Sequence, residues 1–107
     1  MRVKLKLNKS ELPALTEVLE KLIIKNEALT ELHEIVCALL IIKLYKKLKE
    51  KCAVIDKKKY SIGVETETQL SFIFFFQKEK IPVATYHGQL THRVLTEFYS
   101  STSNLTT

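Results

Sequence analysis

The sequence predicts a mainly α fold: a four-helix domain carrying a minor two-stranded antiparallel ribbon. Three observations carry this reading. Glycine and proline number only two each in 107 residues, which favours long regular elements over a turn-rich β fold. Apolar residues recur at spacings of three and four through long stretches, the mark of a helix face. Two short segments instead alternate strictly, as half-buried strands do. Residues 1–100 are expected to form one helical domain, since a chain of this length can bury roughly two-thirds of its unfolded surface around a single core. Residues 101–107, STSNLTT, have the composition of a flexible C-terminal tail.

The first strand is VKLKL, with Val3, Leu5 and Leu7 on one face and Lys4 and Lys6 on the other. The charged face suits an edge strand that must discourage foreign pairing. Ser10 is the preferred cap of the first helix, because it places Pro13 in the first turn, where a missing N–H costs nothing. Asn8, with Glu11 completing a capping box, is the second candidate. Leu12, Leu15, Leu19, Leu22 and Ile23 make the buried stripe of that helix, which stops near Asn26. A second helix is expected from about Thr30 to about Lys51, its apolar face formed by Leu32, Ile35, Val36, Leu39, Leu40, Leu44 and Leu48. Its acids (Glu27, Glu31, Glu34) lie near the start and its lysines (Lys43, Lys46, Lys47, Lys49, Lys51) near the end. That order opposes the helix macrodipole at both ends.

Asp56 and Lys57 to Lys59 read as an exposed loop, after which Tyr60, Ile62 and Val64 alternate with Ser61 and Gly63 as a second strand. SFIFFFQ has high strand propensity, yet Thr66 followed by Gln69 spells a capping box. The length from Thr66 to Lys80 tips the prediction to a helix that is apolar nearly all round and hence buried. Pro82 opens the last helix, with Val83, Tyr86, Leu90, Val94, Leu95 and Phe98 at helix spacing. Gly88 weakens it by about 1 kcal/mol on propensity alone. The two halves therefore read alike, each a strand, a polar cap, an apolar helix and a second helix. Two β-α-α units related by a pseudo-two-fold would pair the strands antiparallel, with helices covering one face of the ribbon.

Chemistry is sparse. His33 and Cys37 are four apart on one helix, but Cys52, His87 and His92 show no spacing that would complete a metal site. No Gly-rich phosphate loop, G-x-S-x-G or H-E-x-x-H is present. No enzyme, cofactor or metal is expected. The N-terminus alternates apolar and charged residues where a secretory signal needs an unbroken apolar core. The longest apolar run, Ile35 to Ile42, is far below the ~18–20 residues that cross a bilayer. A cytoplasmic location with reduced thiols is the expectation, with no membrane partner.

Two surfaces remain. The net charge is +5, and all of the 17 basic residues except Arg2 and Arg93 are lysine. Lysine is a solvated point charge without the rigid fork that reads bases, so sequence-independent nucleic-acid binding through the Lys43–Lys59 region, by Lys46, Lys47, Lys57 and Lys58, is the alternative function. The leading expectation is a non-catalytic interaction or accessory protein. It would self-associate as a homodimer, or meet another protein, through the apolar surplus at Ile41, Ile42 and Tyr45 of the second helix.

Overall fold

Alternation and helical periodicity translate directly into an element order. The computed structural model describes residues 2–53 and 59–103. In order they form β1 (Val3–Asn8), α1 (Glu11–Lys25), α2 (Leu32–Cys52), β2 (Lys59–Val64), α3 (Thr66–Phe76) and α4 (Tyr86–Thr102). This is the expected mainly α fold with an antiparallel two-stranded ribbon. α4 takes in Ser101 and Thr102, assigned from sequence to the tail: the buried Thr102 hydroxyl donates to the Phe98 carbonyl at 2.8 Å.

The cap of α1 differs from the preferred one. Ser10 directly precedes the helix but its side chain makes no capping bond, and its backbone is already helical. Asn8 does the capping: its Oδ1 accepts from the Ser10 and Glu11 amides at 2.9 and 2.8 Å, and Glu11 Oε1 accepts from the Asn8 amide at 2.9 Å. The reciprocal box thus satisfies donors that the ladder leaves open. Asn8→Ala should cost about 1 kcal/mol. Ser10→Ala, which removes exposed hydroxyl bonds to Asn8 and Tyr86 but no capping bond, should cost less, and urea midpoints that rank the two the other way would overturn this assignment.

α3 settles the competition in SFIFFFQ in favour of a helix. Phe72, Ile73, Phe75 and Phe76 are all buried, and Phe74 half-buried, which period-two alternation cannot produce. Glu65, not Thr66, is the residue before the helix. The wholly buried Gln69 reaches back, its Nε2 donating to the Val64 carbonyl at 2.9 Å, so the helix start is tied to the strand end. The last helix begins later than Pro82. Thr85 caps it, its Oγ1 accepting from the Gly88 amide at 3.0 Å, and Pro82 stays in the connecting segment.

α1 packs against α2 and α4, and α3 likewise packs against α2 and α4, closing a ring. The inner ribbon residues Leu5, Leu7, Tyr60, Ile62 and Val64 join that core. In the ribbon register Leu5 faces Ile62, Lys4 faces Gly63 and Lys6 faces Ser61. Matching the strands face by face sets Val3 on Tyr60, Leu5 on Ile62 and Leu7 on Val64. A two-fold relating the strands in this way would pass through the Leu5–Ile62 pair and exchange Lys4 with Ser61 and Lys6 with Gly63.

Candidate functional site

Because the inner ribbon residues are apolar and the side chains alternate, the outer face is polar by construction. It presents Lys4, Lys6, Lys59 and Ser61, all exposed, with Gly63 opposite Lys4 at one end. The Arg2 guanidinium lies over Gly63, where a Cβ would collide with it, and pairs with Glu65 at 3.5 Å. Arg2 and Lys59 thus mark opposite ends of a basic strip.

Each edge of the ribbon is held by a cation from a helix. Lys47 of α2 donates through Nζ to the Gly63 carbonyl at 2.8 Å, and Arg93 of α4 donates through Nη2 to the Lys6 carbonyl at 3.2 Å. One strand carbonyl on each edge is held in this way, each cation reaching into the other half of the chain. These bonds occupy edge carbonyls that would otherwise template foreign strands. Arg93 also pairs with Glu11 at 3.0 Å, joining the ribbon edge to the α1 cap. Between β1 and the end of α4 lies a shallow depression lined by Lys4, Lys6, Thr96, Glu97, Ser100 and Ser101.

Of the lysines singled out from sequence, Lys46 is exposed, Lys47 is half-buried in the bond just described, and Lys57 and Lys58 lie outside the described residues. Further along α2, the Tyr45 hydroxyl accepts from Lys49 Nζ at 3.2 Å, and this bond raises the lysine above its ordinary pKa.

The apolar surplus of α2 sits elsewhere than on Ile41, Ile42 and Tyr45. Ile41 is 1% exposed and belongs to the core with Leu44 and Leu48, while Ile42 and Tyr45 are half-buried. The open residues are Leu32, Ile35, Val36 and Leu39, assigned from sequence to the core face, with Leu32 76% and Leu39 60% exposed. Beside them runs an apolar groove of ≈ 430 Å³ whose walls include Leu22, Ile23, Leu29, Leu39, Ile42 and Phe75. A signal for this inversion stood in the sequence: stepping back from Lys43 on the wet face by four gives Leu39, and by three or four more gives Val36 and Ile35.

His33 packs edge-on against the Phe74 ring at 5.9 Å, and Cys37 is half-buried. His87 bonds Glu17 at 2.8 Å, and His92 Nε2 lies 3.3 Å from the Ile81 carbonyl. Among the described residues no three His, Cys, Asp or Glu side chains converge as metal ligands. Among them too, no helix is long and apolar enough to cross a membrane. No protein family, curated protein or solved structure matches the chain.

Proposed function

We propose that this chain is a non-catalytic duplex-DNA-binding module whose two-stranded ribbon enters the major groove. The carrying observation is the outer ribbon face, where Lys4, Lys6 and Lys59 stand exposed on a strip six residues long, backed by a wholly apolar inner face. Strands about 4.8 Å apart and about 20 Å long suit a major groove roughly 12 Å wide, which admits a two-stranded ribbon. The A-form duplex of RNA has a deep, narrow major groove that side chains cannot enter, which favours DNA. The ammonium groups would meet phosphates and the acceptor-rich edge of guanine. The ribbon sets its lysines on β1 against Ser61 and Gly63 of β2, so the two halves of a target would be held unequally and a palindrome is not required. This reading moves the nucleic-acid contact from Lys46, Lys47, Lys57 and Lys58 to the ribbon.

Fluorescence anisotropy with a labelled duplex of about two helical turns tests it. Binding should weaken steeply between about 50 and 200 mM salt, as released counterions require. Replacing Lys4 and Lys6 together by Ala should lower affinity at least about tenfold and flatten the log–log salt slope by about two. Lys46→Ala should change little. A wild-type chain that ignores duplex DNA at about 50 mM salt, or a ribbon variant that binds unchanged, sinks the proposal.

A further inference from the structure

The residue before α2 and one row of the helix carry side chains four apart in the order Glu31, Ile35, Leu39, Lys43, which reads acid, apolar, apolar, base; the Glu31 carbonyl accepts from the Ile35 amide at 3.0 Å and so continues the helical spacing. All four are exposed, and Leu32 and Val36 widen the apolar middle of the row. On its flank opens the groove walled by Leu22, Ile23, Leu29, Ile42 and Phe75. Ridge and groove therefore lie side by side on one molecule, the two halves of a helix-packing contact. An isologous contact requires a patch that complements its own reverse, and this row does. Reversed, it sets Glu31 against Lys43 and Ile35 against Leu39.

We infer that this face is a homodimer interface in which two α2 helices cross antiparallel about a two-fold that passes between Ile35 and Leu39. Ile35 of one copy meets Leu39 of the other, Leu32 approaches Ile42 at the groove, and each Glu31 meets a Lys43 twice over by symmetry. A parallel arrangement would stack Glu31 on Glu31 and Lys43 on Lys43, so charge selects the antiparallel one. The interdigitating rows are of the four-apart kind, which cross at about −50°. The apolar middle supplies the attraction, since contiguous apolar surface is what a monomer keeps small. Dimerisation here requires no nucleic acid.

Sedimentation equilibrium on the full chain decides the matter. The wild type should dimerise, and Leu39→Asp should make it monomeric with an unchanged far-UV circular dichroism spectrum. Glu31→Lys and Lys43→Glu should each raise the dimer dissociation constant about three- to tenfold, two ion pairs being turned into repulsions. The double exchange, Glu31→Lys with Lys43→Glu, should restore it to within about twofold of wild type. A wild type that stays monomeric at roughly 1 mM overturns the interface, whether the face then takes a different protein or a lipid surface. Single exchanges without effect, or a double exchange that fails to restore, overturn the antiparallel pairing.

Discussion

Phe72→Ala should remove about 3–5 kcal/mol of folding stability, the largest effect of any single truncation considered. Phe72 is 0% exposed and joins the helices of the second unit, its ring edge-on to Phe98 at 5.2 Å and tilted on Phe76 at 4.5 Å. Truncation leaves a ring-sized cavity among side chains held by both α3 and α4, so the site can collapse little. Domains of this size hold only about 5–15 kcal/mol in all, so the variant would stand at the edge of unfolding. A melting temperature lower by at least about 12 °C is expected. The neighbouring rings sharpen the test. Phe75 is buried, while Phe74 is half-buried beside His33 with Lys78 Nζ 4.6 Å above its ring. Phe75→Ala should therefore cost more than Phe74→Ala. The reverse ranking is what a strand would give, because alternation puts positions 72, 74 and 76 on one side.

Gly88→Ala should destabilise by about 1–3 kcal/mol, opposite in sign to its effect on an isolated helix. Propensity alone predicts a gain of about 0.8–1 kcal/mol. In the fold a Cβ at position 88 would run into the Pro82 backbone carbonyl and crowd the Thr85 hydroxyl. The connecting segment thus lies directly on the first turn of α4, and the alanine must push it away or break the Thr85 cap. Gly63→Ala is the control. Its Cβ meets only the far end of the Arg2 side chain, which can swing aside, so little loss is expected. A urea midpoint that rises for Gly88→Ala would refute the close approach.

Much of the fold was legible because local patterns agree with the global arrangement. Val3, Leu5 and Leu7, like Tyr60, Ile62 and Val64, alternate with polar residues, and such a pattern has only one apolar face to bury. Their antiparallel pairing followed from reading the chain as two similar units. α3 was legible from length and cap spelling, although its actual cap residue was displaced by one position. The ribbon was foreseen as an element but not as the proposed contact surface. Its lysines looked like edge protection, and only the register shows Lys4 facing Gly63 and Lys6 facing Ser61 across a polar strip.

By itself, the sequence determined the elements, the inner faces of both strands and the charge order along α2. Tertiary structure decided which side of the apolar half of α2 faces inward, where the sequence offered only the phase set by Lys43. From Ile35 to Ile42 the helix is apolar around nearly its whole circumference, so local periodicity has no preferred direction there. The direction came from α1 and α3, which pack on the side of Ile41, Leu44 and Leu48 and leave Leu32, Val36 and Leu39 open. The same holds for the cap of α1. Asn8 and Ser10 can both spell one, and the geometry of the strand end, which closes Asn8 onto Glu11, chose between them.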